Sequence, residues 1–221
     1  MCGRYTVSDP GQILTDLHVA GLDAPLVPRY NVAPTQNVPV IRQTAEGARR
    51  LGFLRWGLIP SWAKDPSIGN RMINARSETA AEKPSFRAAV KKRRCLLITD
   101  GFFEWKKVPG GKQPYHIHLP DRRPFVFAGL WERWSKGEQP IESCTILTTS
   151  PNPFMATIHD RMPVILDGEA RDFWLDPSID DGSAFEPVLR PYDGELAATA
   201  VSRLVNNPRH DSPDCLTPAT A

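Results

Sequence analysis

The chain has few cysteines and no close pair of them: Cys2, Cys95, Cys144 and Cys215 are far apart, with no CxxC spacing. Neither a zinc cluster nor a disulfide framework is indicated, and four reduced thiols fit a cytoplasmic protein. Nor is there an apolar run approaching the roughly eighteen residues of a membrane span, and the start MCGRYTVSDP lacks the apolar core of a signal peptide. A surplus of one charge is missing too. The 27 Lys and Arg residues against 25 Asp and Glu leave a net +2, too little to announce a nucleic-acid partner, although the cations could gather on one face. No repeat or interdomain linker is evident, and no motif calls for a metal or other cofactor. What remains is ordinary globular material, 221 residues at 41% hydrophobic and 24% charged, enough for one generous core. We expect a single domain over residues 1–207, with the Pro-, Asp- and Thr-rich residues 208–221 as a disordered tail.

Punctuation and periodicity place the elements. Asp9 as N-cap, Pro10 at the first helical position, the stripe Ile13, Leu14 and Leu17, and Gly21 as a stop predict a first helix. Apolar runs at 38–41 and 51–56, separated by the polar stretch 43–50, predict a hairpin. Pro84 and Ser85 introduce a short helix carrying Phe86, Ala89 and Val90 and ending in the basic run 91–94. Strands follow at 95–99, 102–106, 115–118, 125–130 and 143–149, then a helix after Asp167. The fold class expected is α+β, a mostly antiparallel sheet or open β-barrel with peripheral helices.

Cys2 stands directly behind Met1, a position from which aminopeptidase can remove the Met, leaving a free 1,2-aminothiol. Its amine and thiol, with reference pKa values of about 8 and about 8.5, both have a nucleophilic fraction near neutrality. An aldehyde attacked by the amine would be captured by the thiol in a five-membered thiazolidine, an intramolecular closure. Glu104 lies in Asp100-Gly101-Phe102-Phe103-Glu104-Trp105, where burial among aromatics would raise its pKa and suit it to acid–base work. Strand alternation offers the opposite orientation equally: Glu104 to water, Phe103 and Trp105 to the core. Asn74 and Arg76, two apart in an extended segment, share a face and could converge on one ligand, or Arg76 could simply pair with Glu78. His159, in Ile158-His159-Asp160-Arg161-Met162-Pro163, reads as a loop imidazole. His116 and His118 share a strand face and, lacking a third ligand, are expected to be exposed. The Pro- and Trp-bearing loops at 30–35 and 55–62 suit base stacking beside Arg4, Arg76 and Arg161, although Trp56 could equally be core.

Taken together, MCGRY, YNVAPTQ, WGLIPSWAKD, MINARSETA, DGFFEW, IHDRMPVIL and VSRLVNN resemble the SOS-response-associated peptidase (SRAP) family, in family order and over nearly the whole chain. The resemblance implies a shield for abasic sites in single-stranded DNA, possible also at single-strand/duplex junctions, that forms a covalent DNA–protein crosslink, with strand cleavage as a side branch. It implies Cys2, Asn74, Glu104 and His159 as active-site residues, Arg4, Arg76 and Arg161 as phosphate-gripping positions, and Pro34 and Trp62 as DNA contacts. Phe103 stands where many relatives carry Tyr. Two other readings use the same residues: an N-terminal-nucleophile hydrolase in which Cys2 attacks an amide, self-removal of Met1 being its minimal form, and a non-catalytic single-strand binding module.

Overall fold

A computed structural model describes residues 2–9, 11–16, 19, 26–44 and 46–219. Pro10, Leu17 and Gly21 of the expected first helix lie outside the described residues, as does Met1. The first half carries β1 (Tyr5–Val7), α1 (Gly11–Asp16), β2 (Arg29–Val32), β3 (Asn37–Gln43), β4 (Arg49–Trp56), β5 (Asn74–Arg76), α2 (Ser77–Ala80) and α3 (Arg87–Lys92). The long strands β6 (Arg94–Thr99), β7 (Gly101–Val108), β8 (Gly111–His118), β9 (Phe125–Trp134) and β10 (Ile141–Thr149) come next. Short pieces complete the chain: α4 (Pro153–Ala156), β11 (Met162–Pro163), β12 (Ile165–Leu166), α5 (Gly168–Leu175) and β13 (Ala197–Ala200), with 3-10 turns at Arg203–Asn206 and Pro213–Leu216.

These strands make two sheets, an α+β arrangement. In the larger one β10, β4, β3, β6 and β9 are joined in sequence, and β9 pairs back onto β10, so the pairings close a circuit as in a barrel. Closure removes edges that would otherwise need cover. Most ladders are antiparallel, as the short connections dictate. Among the described residues the two exceptions both involve β10, which runs parallel to β4 (Ser143 opposite Arg55) and to β5 (Ile146 opposite Asn74). The smaller sheet has the order β13-β8-β7-β1-β2. Tyr5 of β1 couples the two sheets: it is fully buried, with its ring 5.3 Å from Trp56 and 6.1 Å from Phe127 in edge contacts. Trp56 is therefore core, its indole Nε1 donating to the Ile73 carbonyl at 2.8 Å.

The route from β4 to β5 depends on a close backbone approach. Gly57 has φ of 126°, and a Cβ there would stand 2.5 Å from the Gly69 carbonyl oxygen, so only glycine fits. The loop is thereby folded back until Leu58 N–H donates to Met72 O at 3.1 Å, which delivers Asn74 to the edge of β10.

Two sequence expectations are corrected and one open alternative is decided. His116 and His118 do share a face of β8, but both are buried rather than exposed, with the Phe103 ring 5.0 Å from His116 and Thr199 of the flanking strand β13 standing 3.3 Å from His118 Nε2. Their rings stack at 5.5 Å, and His116 Nε2 stands 3.1 Å from Thr6 Oγ1; burial and then His118 push the His116 pKa down to about 3. Both faces of β7 are covered, so Glu104 is not turned to water. Phe102 enters the main core, Phe103 enters a second cluster with Val201, Val205 and Cys215, and Glu104 is buried between other elements. Residues 208–219, expected as a disordered tail, are ordered. Asp211 accepts the backbone N–H of Tyr30 at 2.6 Å and of Asn31 at 2.9 Å, Cys215 is buried, and Pro218 bridges to Val201.

Candidate active site

The antiparallel pairing of β1 with β7 sets the site. Tyr5 faces Phe102, and Phe103 N–H donates to Arg4 O at 2.9 Å, so the chain before Arg4 runs back toward Glu104. This brings the second residue of the chain to the buried carboxyl. Cys2 is fully buried, its thiol making a weak 3.9 Å contact with its near neighbour's carbonyl, Arg4 O. Burial, and secondly the charge of Glu104, pushes the thiol well above its usual pKa, so it stays protonated at neutral pH until a base is offered. Asn74 arrives from β5 and donates from Nδ2 to the Cys2 carbonyl at 2.9 Å. The Oδ1 of the same amide is buried without a hydrogen-bond partner among the described residues. Such an acceptor is costly unless something donates to it, and it suits a hydroxyl brought by a ligand.

The Glu104 side chain is only 3% exposed, and burial raises its pKa although His159 pulls the other way. His159 follows α4, whose N-cap Asn152 accepts from Met155 N; the His159 N–H is fixed on Met155 O at 2.8 Å. Its Nε2 stands 3.9 Å from Glu104 Oε2. Nδ1 accepts from the Arg161 N–H at 3.0 Å, which leaves the neutral ring's proton on Nε2, toward Glu104. Asp160 Oδ1 is also 2.9 Å from Nδ1, but this carboxylate is 89% exposed and well screened. The structure thus brings together Cys2 with Asn74 and Glu104 with His159, and the charge of Glu104, felt by the Cys2 thiol, joins the two pairs.

The arginines are less uniform than their sequence roles suggest. Arg76, at the end of β5 on the same face as Asn74, is exposed, and Glu78 pairs with Arg161 in its place. That pair is bidentate at 2.6 and 2.9 Å, and Arg161 also donates to Thr148 O at 2.7 Å. Arg4 turns inward: its guanidinium donates to Asn31 Oδ1 at 2.8 Å and to Val205 O at 2.6 Å. Pro34 is half-buried in the turn after β2, ahead of Thr35 with φ of 73°. Trp62 is 50% exposed and touches the Pro84 carbonyl through Nε1 at 3.4 Å. Sequence reasoning gave no role to Asn31, the partner of Arg4, and offered Glu78 to Arg76 rather than to Arg161. The alternation of opposite charges in Arg76-Ser77-Glu78 is the only local signal, and it points to the wrong arginine.

Comparison with known proteins gives a consistent picture. Residues 1–208 match the sequence model of the family described as SOS response associated peptidase (SRAP). The chain is 46% identical over 222 residues to the abasic site processing protein YoqW of Bacillus subtilis (strain 168), covering 98% of this chain and 99% of that one. It is 36% identical over 223 residues to the abasic site processing protein HMCES of Gallus gallus, covering 86% of this chain and 66% of that one. Among solved structures, a protein from Bacteroides thetaiotaomicron superposes with a TM-score of 0.88 at 27% identity, over 99% of this chain and 100% of that chain.

Proposed function

The chain belongs to the SOS-response-associated peptidase family, and from that premise we propose that it processes abasic sites in single-stranded DNA by forming a covalent thiazolidine through Cys2 after Met1 has been removed. The observation that carries this reading is the buried Glu104 beside Cys2, with Asn74 bonded to the Cys2 carbonyl. An abasic deoxyribose opens to a C1′ aldehyde. The freed Cys2 amine adds to C1′, giving a carbinolamine, and protonated Glu104 delivers its proton to the departing hydroxyl, so that water leaves and an iminium remains. Glu104 is now a carboxylate next to a high-pKa thiol. It takes the thiol proton as sulfur attacks C1′, closing the ring and restoring the acid. Aldehyde, amine and thiol are consumed and one water is released. His159 and the Asn74 Oδ1 hold the opened sugar through its hydroxyls, while Arg76 and Arg161 engage the flanking phosphates. If the ring fails to close, the iminium drains into β-elimination and strand cleavage.

Cys2→Ala is expected to abolish the heat-stable adduct with abasic single-stranded DNA on a denaturing gel while non-covalent binding persists. Cys2→Ser retains the amine and is expected to give only a borohydride-trappable imine, with more strand cleavage than the parent. Undiminished heat-stable crosslinking by Cys2→Ala overturns the proposal. Cleavage of a peptide substrate without any DNA adduct would favour the hydrolase reading in its place.

A further inference from the structure

Beyond the four residues of the candidate site, the molecule carries a second concentration of charge that the chemistry above does not use. A groove of about 700 Å³ begins at His159 and runs along the β7–β8 hairpin past Trp105, Lys106, Lys107 and Lys112. A neighbouring hollow of about 490 Å³ shares Trp105 and Lys112 with it and adds Arg203. Four cations therefore line a continuous path in which Asp160 is the one carboxylate. Among the described residues none of these four is in an ion pair.

The ladder register makes the arrangement pointed. Lys107 lies directly opposite Lys112, and like charges facing each other across antiparallel strands are destabilising. An anion lying over the pair would relieve that repulsion. Trp105 supplies the apolar part: its Nε1 donates to Asn206 Oδ1 at 2.8 Å, which pins the edge of the indole where the two hollows meet. Cations following a backbone beside a fixed aromatic surface are the combination that suits single-stranded nucleic acid. Because the path opens at His159, its occupant is continuous with whatever reacts there.

We infer that the β7–β8 hairpin is an extended subsite for the single strand on one side of the reacting nucleotide, with Lys106, Lys107, Lys112 and Arg203 on its phosphates and Trp105 against a base. This rests on abasic DNA being the substrate. The test compares the parent with a Lys107→Gln/Lys112→Gln double variant, whose changes are on an exposed hairpin. Each protein is offered an abasic trinucleotide and abasic dodecamers extended on one side only, and binding to an undamaged single strand is titrated against salt. The subsite requires equal crosslinking of the trinucleotide by both proteins and a several-fold slower reaction of the variant with one of the two extended strands. It also requires a salt slope about 1.4 smaller, because two phosphates of the single strand are no longer neutralised. Identical rates on both extended strands together with identical slopes overturn it. If neither protein crosslinks any abasic strand, the thiazolidine chemistry has failed, and the salt titration alone still decides the subsite. An acidic peptide that competes while the strand does not bind would reassign the groove to a protein partner and also overturn it.

Discussion

Glu104 is held with its carboxyl out of water, and burial lifts its pKa; both its chemistry and its stability effect follow from that. In the proposed reaction it moves protons to and from the sugar oxygen and the thiol, and so serves both directions. Glu104→Gln is expected to slow adduct formation and adduct reversal alike, by about 10²- to 10⁴-fold, and to flatten the pH profile of the parent. The stability sign is opposite. A carboxyl whose pKa is raised on folding costs nothing below its unfolded value of about 4.3, and destabilises progressively as pH rises through the folded value. The Gln variant, neutral and of the same shape, is therefore expected to melt higher than the parent at neutral and alkaline pH, with the difference closing near pH 4. Melting curves across pH check this, and a variant that melts lower than the parent at neutral pH, with the difference closing at acid pH, would show that Glu104 is stabilising as a carboxylate. Asn74 acts by position: Asn74→Ala removes the donor to the Cys2 carbonyl, and slower crosslinking with unchanged affinity for undamaged DNA is expected.

At the scale of elements, the residues leading into β1 and the end of β5 each bring one arginine from a recognisable motif, Arg4 and Arg76, and the two sit differently. Arg4 ties β1 to Asn31 of β2 and to the 3-10 turn at Arg203–Asn206. Arg4→Ala leaves acceptors without their donor, at about 1–3 kcal/mol, or a Tm fall of roughly 2–12 °C. Arg76→Ala, on an exposed side chain, is expected to leave Tm unchanged within about 1 °C while reducing the salt slope of DNA binding by about 0.7. Thermal melts beside salt titrations separate the two roles. The same contrast marks what was legible in the sequence. Apolar runs at 38–41, 51–56, 95–99 and 125–130 located the strands that span 37–43, 49–56, 94–99 and 125–134 but not all their ends, because alternation and turn residues are local signals. The parallel pairings of β10 with β4 and β5 had no local signal, since they join segments about ninety and seventy residues apart. The exposure expected for His116 and His118 failed for the same kind of reason: β13, the strand that pairs beside them and brings Thr199 to them, lies some eighty residues further on. Cys2, Asn74, Glu104 and His159 were each ambiguous alone. Only the joint resemblance singled them out, because the register of β1 on β7 that brings Cys2 to Glu104 is a long-range fact.

For the molecule as a whole, the end of the chain closes over its beginning. Asp211 holds the backbone of Tyr30 and Asn31, the Asn31 amide donates to His210 O at 2.6 Å, and Asn31 in turn accepts from Arg4, two residues from Cys2. Deleting residues 208–221 is accordingly expected to lower Tm by at least about 5 °C and to slow crosslinking as well, measured by melting and by adduct formation on one abasic strand; an unchanged Tm would mean that these contacts carry no net stability. The central claim is chemical, and mass analysis of the adduct tests it most directly. After the protein has reacted with an abasic single strand and been digested, the account predicts one crosslinked peptide that begins at Cys2, without Met1. Its mass should be that of the peptide plus the sugar fragment less one water, with no free thiol at Cys2. A crosslink on any other residue, or on a peptide that still carries Met1, would contradict it.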